Sequence, residues 1–400
     1  MPDNIYVLDL QVTGATLVTV NDDGAGEDAI AVHGLYDQLV EISLCWTSSG
    51  GQTTTAGAYY VDADNQGHRL VVKGIVENAI GSNGRDSIQG NEYGNQLFGD
   101  FNVGGPGDAD TIRGGLGDDF VHGGVGADSI AGDGDNDRLF GDEGDDIITG
   151  GTGIDTIAGG TGADVLSGGG SVGDTLTYAS SAAGVRVTLT DGAATTAFGG
   201  EAEGDLIDGF TNVTGSAFAD RITDTNAQTL PSGANDNVFF GNGGFDRLYL
   251  GGGNDCGYGG NGNDLLLGEA GDDTLSGDAG RDRLWGGAGQ DSLTGGEAAD
   301  TFIFRFIADS AVTRADVITD FATLQGDRID LLGIDAISGL PGNQAFVLIS
   351  TAFQGQPGEL RFEQLGPDLL VMGDTNGDAV ADFAIVLLGV NSLTALDFIL

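Results

Sequence analysis

Residues 114–167 read GGLGDDFVH, GGVGADSIA, GDGDNDRLF, GDEGDDIIT, GGTGIDTIA, GGTGADVLS, six nine-residue units without slippage. Position 6 is aspartate throughout: Asp119, Asp128, Asp137, Asp146, Asp155 and Asp164. Position 8 is aliphatic throughout: Val121, Ile130, Leu139, Ile148, Ile157 and Leu166. A strict period of this length means that each unit repeats one structural job. Glycine at positions 1, 2 and 4 allows positive φ and lets backbone carbonyls crowd toward one point. The carboxylate at position 6 joins those carbonyls. An oxygen-only cluster of this kind suits a hard cation, and calcium in particular, which accepts many oxygens in flexible geometry. The last three residues of each unit are extended, with the aliphatic side chain pointing inward. Two units then make one turn of a parallel coil, with a thin apolar strip between two sheets. A disordered Gly/Asp linker has no reason to hold an aliphatic residue in phase.

A second run starts at Ser232: SGANDNVFF, GNGGFDRLY, LGGGNDCGY, GGNGNDLLL, GEAGDDTLS, GDAGRDRLW, GGAGQDSLT, then GGEAAD. Its sixth positions are Asn237, Asp246, Asp255, Asp264, Asp273, Asp282, Asp291 and Asp300. Degenerate units place Asp86 and Asp110 ahead of the first run. The candidate metal-site residues are these aspartates and the turn glycines Gly115, Gly117, Gly124, Gly126, Gly151, Gly153, Gly160, Gly162, Gly260, Gly262, Gly287 and Gly289. The unit LGGGNDCGY breaks the rule, with Gly257 at position 8. A core gap is expected there, filled by Cys256 or Tyr258 after a local shift.

Composition agrees. The 400 residues hold 14 Lys plus Arg against 61 Asp plus Glu, a net charge of −47. That balance argues against nucleic acid or anionic lipid as a direct partner and points to cations. Glycine is 74 residues and proline only 6, which rules out collagen, and 40% hydrophobic residues is too many for an acidic disordered tail. The two cysteines, Cys45 and Cys256, show no disulfide framework. The N-terminus lacks the features of a Sec signal peptide, and no apolar run is long enough to span a membrane.

The expected organisation is all-β. Residues 1–73 form a β-rich N-terminal module that includes an isolated repeat-like unit at 23–31. Residues 74–167 hold a starting cassette and the first parallel β-roll block, and residues 168–231 a β insertion with a second cassette. Residues 232–300 are the second β-roll block, and 301–400 a β-sandwich-like C-terminal domain. The cassettes match in spacing: Asn78, Gly81, Ser82, Asp86 and Ile88 against Asn212, Gly215, Ser216, Asp220 and Ile222. Near the C-terminus, Asp374, Asn376, Asp378 and Asp382 stand at positions 1, 3, 5 and 9 of a loop that looks like the first part of an EF-hand-type calcium site. It lacks the flanking helices and has Ile385 where a glutamate would complete it.

The nonapeptide resembles the RTX repeat, G-G-x-G-x-D-x-U-x. The passage from ENAIGS (77–82) through the repeats to TFIFRF, ADVITDF and GDRIDL is similar to the C-terminal half of the serralysin family of secreted metalloproteases. The resemblance implies a parallel β-roll with calcium between turns on the same edge, between unit n and unit n+2. Roughly 10 calcium ions follow, with a weak site at Asn237. It also implies secretion to the extracellular space by a type I ABC exporter that reads the C-terminus. Asp397-Phe398-Ile399-Leu400, one acidic and three apolar residues, looks like that motif. The family's zinc protease is not carried over, because His33, His68 and His122 form no H-E-x-x-H. The expected function is that of a secreted calcium-binding RTX protein with a structural or interaction role and no catalytic residues of its own. The alternative is a secretion and stability carrier for a hydrolase.

Overall fold

The computed structural model describes residues 81, 84–100, 107–190, 193–225 and 236–400, and the backbone of seven short strands before residue 81. Among them there is no α-helix, only strands and three 3-10 turns. Among the described residues no helix is long and apolar enough to cross a membrane. The chain divides into two compact units, 1–178 with 192–210, and 179–191 with 211–400. The division passes through 168–231, the stretch that the sequence groups as one insertion.

In the first unit successive strands alternate between two parallel ladders. One runs Ser87–Gln89, Thr111–Gly115, Ser129–Gly134, Ile147–Thr152, Val165–Gly169 and Leu206–Asp208. The other runs Gln96–Phe98, Phe120–Val125, Arg138–Glu143, Thr156–Thr161 and Thr175–Thr177. Within the repeats each strand pairs with the strand 18 residues later, so identical positions face each other: Ile130 meets Ile148 and Leu139 meets Ile157. The strands before residue 81 join the same ladders in parallel. Asn4–Asp9, Asp28–His33, Tyr59–Val61 and Asn78–Ile80 lead to Gln96–Phe98. Thr16–Val20, Val40–Leu44 and Arg69–Val71 lead to Ser87–Gln89. Strand Asn78–Ile80 therefore has a neighbour on its N-terminal side, whereas the cassette reading expected it to start the coil. The side chains of residues 1–73, including Asp28, Cys45, His33 and His68, lie outside the described residues, as does Ser82.

The second unit repeats the plan. One ladder runs Arg186–Leu189, Arg221–Asp224, Arg247–Tyr249, Leu265–Ala270, Arg283–Ala288, Thr301–Ile303, Arg328–Asp330 and Phe398–Ile399. The other runs Asn212–Thr214, Val238–Phe240, Cys256–Gly262, Thr274–Ala279, Ser292–Thr294, Asp316–Ile318 and Phe383–Leu387. The C-terminal hundred residues thus continue both ladders. They add an antiparallel meander of Glu359–Leu365, Asp368–Asp374 and Phe383–Leu387.

The core is the position-8 strip. Val121, Ile130, Leu139, Ile148, Ile157 and Leu166 are at most 2% exposed. Each such burial is worth roughly 1.5–3 kcal/mol, a thin return for so long a coil.

Gly257 departs from expectation. It stays in register with Phe239 and Leu275, so no local shift occurs, and Cys256 and Tyr258 do not fill the gap. Leu250 fills it. This leucine occupies position 1 of the same unit, where glycine is the rule, and is fully buried. A Cβ at Gly257 would stand 3.2 Å from both Leu250 methyls and from Leu275 Cδ2.

Candidate metal centre

The turn glycines hold the backbone that the repeat requires. All twelve singled out above have φ between +92° and +159°. Gly160 shows the close approach as well: a Cβ there would lie 2.0 Å from the Asp142 carbonyl oxygen of the preceding turn. Only a residue with no side chain fits.

Every position-6 aspartate is brought to the roll edge, buried, and stacked on the equivalent residue one full turn away. The two oxygens of each carboxylate have different surroundings. Oδ1 accepts a hydrogen bond from the backbone N–H of the aspartate one turn before. Asp110 N donates to Asp128 (2.7 Å), Asp128 N to Asp146 (2.7 Å) and Asp146 N to Asp164 (2.9 Å). On the opposite edge Asp119 N donates to Asp137 (2.8 Å) and Asp137 N to Asp155 (2.9 Å). Asp86 heads the first series by donating its N–H to Asp110 (2.7 Å). The second unit has the same two series, from Asp246 through Asp264 and Asp282 to Asp300, and from Asp255 through Asp273 to Asp291.

Oδ2 has no hydrogen-bond partner at Asp110, Asp119, Asp128, Asp137, Asp146, Asp155 and Asp164, nor at Asp246, Asp255, Asp264, Asp273, Asp282, Asp291 and Asp300. Where position 1 is glycine, Oδ2 lies against it, in several turns together with the carbonyl of the next turn's glycine; at Asp255 position 1 is Leu250. A Cβ on Gly132 would sit 2.1 Å from Asp137 Oδ2 and 2.6 Å from the Gly150 oxygen. On Gly268 it would sit 2.2 Å from Asp273 Oδ2 and 2.5 Å from the Gly286 oxygen. A buried carboxylate oxygen without a donor is expensive. The carboxyls respond accordingly. Burial, reinforced by neighbouring carboxylates, pushes Asp137 and Asp273 up to about 8 and Asp110 up to about 9.

The donor set is therefore one carboxylate oxygen with main-chain carbonyls, repeated at each turn. No group of three or more His, Cys, Asp or Glu side chains comes together among the described residues. An all-oxygen, carbonyl-rich set fits calcium and does not fit zinc or copper.

The series run further than the repeats. Asp155 N donates to Asp174 and Asp164 N to Asp205 (both 2.9 Å). Asp291 N donates to Asp316 and Asp300 N to Asp327 (both 3.0 Å). Asp220 N likewise donates to Asp246 (2.7 Å). The sequence reading did not count Asp174, Asp205, Asp316 and Asp327. Their signal was the half-motif D-x-aliphatic in GDTL, GDLI, ADVI and GDRI, stripped of its glycine turn. Some ends of these series are closed by protein donors. Tyr178 O–H donates to Asp205 Oδ2 (2.8 Å), Ser216 N to Asp220 Oδ2 (2.6 Å) and Ala322 N to Asp327 Oδ2 (2.8 Å). A second, exposed series also escaped notice. Position-5 side chains accept from the next turn's backbone, as Asp236 does from Asn254 N, Asn254 from Asp272 N and Asp272 from Gln290 N (2.8 Å each).

The 374–382 loop is built differently. Asp374 is fully buried, yet its Oδ1 accepts from Gly377 N (2.7 Å) and its Oδ2 from Ala379 N (2.9 Å). Asp382 Oδ2 accepts from Thr375 N and Oγ1 (2.7 Å each), and its Oδ1 from Asn376 Nδ2 (2.9 Å). Asn376 and Asp378 accept from Asp378 N and Val380 N (2.9 Å each). The loop closes on its own N–H groups.

His122 serves packing. Its ring stacks between Phe98 (5.6 Å) and Phe140 (4.5 Å), and its Nδ1 lies 2.7 Å from Asp142. Cys256 is a half-buried free thiol, pushed up by burial and by Asp255.

Comparison with known proteins follows the same division. The RTX calcium-binding nonapeptide repeat family matches residues 105–139, 140–171 and 232–266. The family described as Peptidase M10 serralysin C terminal matches residues 253–400. No match to a protease domain accompanies them. No curated protein matches the chain. Among solved structures, the AlgE6R3 subunit of the Azotobacter vinelandii mannuronan C5-epimerase is 27% identical over 44% of this chain and 84% of that one, with a TM-score of 0.22. The chain thus carries RTX calcium-binding nonapeptide repeats, in parallel β-roll form, together with a serralysin C-terminal domain.

Proposed function

We propose that this is a secreted protein whose β-rolls are completed by calcium outside the cell, and that its role is structural or interactive. The observation that carries the reading is the run of buried Oδ2 atoms without donors. Protein donors satisfy one oxygen of each carboxylate and leave the other facing carbonyls. A divalent cation bound there supplies the missing positive charge. The residues that would hold it are the position-6 aspartates, with glycine carbonyls of the same edge.

Magnitudes support metal-coupled folding. Extracellular calcium sites have dissociation constants of about 10⁻⁴–10⁻³ M. At ten times that constant each ion stabilises the fold by about 1.4 kcal/mol. Roughly ten ions then contribute on the order of 14 kcal/mol, as much as the whole stability of an ordinary domain, about 5–15 kcal/mol. Where calcium is scarce, the charge of −47 keeps the chain expanded.

An expanded chain also suits export through a type I ABC system. Asp397 caps its own turn by accepting from Thr394 N (2.5 Å) and Oγ1 (2.9 Å), and Phe398 and Ile399 pair with Ile329 and Asp330. The terminal motif is thereby engaged once the chain folds, so an exporter would read it beforehand. Calcium titration followed by circular dichroism, with ions counted by equilibrium dialysis, tests the reading. Cooperative gain of β structure with about ten ions bound is expected; unchanged β content after EGTA would contradict it.

A further inference from the structure

The second unit carries a row of arginines on the outer face of one ladder. Arg186 faces Arg221, which faces Arg247. Leu265 follows, then Arg283, Thr301 and Arg328. All five arginines are exposed. They are five of only 14 cationic residues in a chain of net charge −47. None makes an ion pair among the described residues, although carboxylates abound. Arg221 instead lies over the Tyr249 ring (4.8 Å), with its Nε 3.5 Å from Thr223 Oγ1.

Few carboxylates reach this face; one is Asp309, whose Oδ2 accepts from Trp285 Nε1 (2.8 Å). The outward residues on one side of the row hold no carboxylate from Thr188 to Ile303, and Asp330 ends that side. On the other side lie Phe245, Asn263, Arg281 and Ala299. The partner ladder of the same unit has no such row; its equivalent positions include Asn212, Val238, Cys256, Thr274 and Ser292. Like charges on facing strands destabilise a sheet. Three consecutive arginines without a counter-ion are therefore a cost that the fold itself does not offset.

We propose that this row docks an extended acidic polysaccharide. Its seven rungs span about 29 Å at the usual strand spacing of about 4.8 Å. The row carries one arginine at most of its charged rungs, with Arg281 flanking Arg283, which fits a single linear polyanion and is too narrow for the two phosphate strands of a duplex. Guanidinium groups bind carboxylate and sulfate in bidentate fashion. Single-stranded nucleic acid would want open aromatic platforms. Tyr249 and Trp285 beside the row are covered by Arg221 and Arg305 (4.3 Å), and Phe245 is a single open ring where a strand of bases would need a succession of them. The aspartates that precede these arginines, Asp220, Asp246, Asp282 and Asp327, are buried, and carboxylates farther off than about 8 Å are screened at physiological salt.

The test uses the full-length, calcium-loaded protein and surface-immobilised polygalacturonate, dextran sulfate, neutral dextran and single-stranded DNA. The first two arms separate carboxylate from sulfate as the anion. Binding to at least one of them, and not to neutral dextran, is expected. The triple variant Arg221→Gln/Arg247→Gln/Arg283→Gln should weaken it on the order of tenfold and flatten its salt dependence. The control Arg113→Gln/Arg138→Gln, in the first unit, should leave binding unchanged. Circular dichroism and calcium uptake equal to the parent establish that the triple variant is folded. Binding that survives the triple substitution, equal or tighter binding to DNA, or no binding to either acidic polymer would overturn the proposal.

Discussion

Asp137 and Asp374 are both buried aspartates in glycine-containing turns of an acidic chain, and their carboxylates meet opposite fates. Asp374 accepts from N–H groups of its own loop on both oxygens. Asp137 accepts on Oδ1 alone, from Asp119 N, while its Oδ2 faces carbonyls. The difference lies in what reaches the second oxygen. The 374–382 loop curls its backbone N–H groups toward its centre. The roll turn presents carbonyls there. What separates the two regions is not acidity but the supply of donors: the roll carboxylate keeps an oxygen without one, and Asp374 does not.

Removing calcium should separate the two regions most sharply. With EGTA at neutral pH the roll is expected to lose its cooperative β signal, read by circular dichroism. The hydrogen bonds of the 374–382 loop need no cation, so a mutational effect there should not depend on calcium.

Protons offer the next contrast. Asp137, Asp246 and Asp273 sit at about 8, raised from 3.8 chiefly by burial. Each holds its proton more tightly folded than unfolded. Between about pH 4 and pH 8 the folded state thus binds more protons, and calcium-free stability falls as pH rises. In protein dialysed free of metal, the β signal lost at neutral pH should return at least in part at pH 5, read by circular dichroism. Calcium uptake should release protons across the same window. An equally low β signal at pH 5 and pH 8 would remove burial of the carboxylates as the reason for needing a cation.

Single substitutions sharpen the comparison further. Asp146→Ala and Asp273→Ala should lower the cooperativity and the number of calcium ions bound, measured by dialysis. Asp374→Ala should cost roughly 1–3 kcal/mol by thermal melting in calcium, with no change in ion count. The smallest effect is expected at Tyr178→Phe. It deletes the only O–H donor shown for Asp205 Oδ2 and should cost about 1 kcal/mol or less by thermal melting in calcium.

The period made much of this legible. A nine-residue repeat with aspartate and an aliphatic in fixed phase admits few readings, and Asp119 to Asp164 stand where that phase puts them. What the period does not cover stayed hidden. Asp205 follows Asp164 by 41 residues and Asp316 follows Asp291 by 25, because insertions replace the glycine turn between consecutive rungs. The split between Oδ1 and Oδ2 depends on a partner one full turn away, which no local pattern encodes. At 374–382 the spacing of side-chain oxygens is visible in sequence, but the competition from backbone N–H groups is not. The arginine row is invisible for the same reason as Asp205: its members become neighbours only when the ladder is assembled.

Leu250 and Gly257 exchange the sizes that their positions normally carry, and both changes lie inside one nonapeptide. Restoring glycine at 250 alone would leave a void, and restoring leucine at 257 alone would bring two side chains into one space. Repeat arrays lengthen and shorten by copying units. A copying event that respects the unit boundary carries this pair intact, whereas one that breaks between 250 and 257 leaves two defective descendants. That stretch of the array is therefore expected to be inherited as a block.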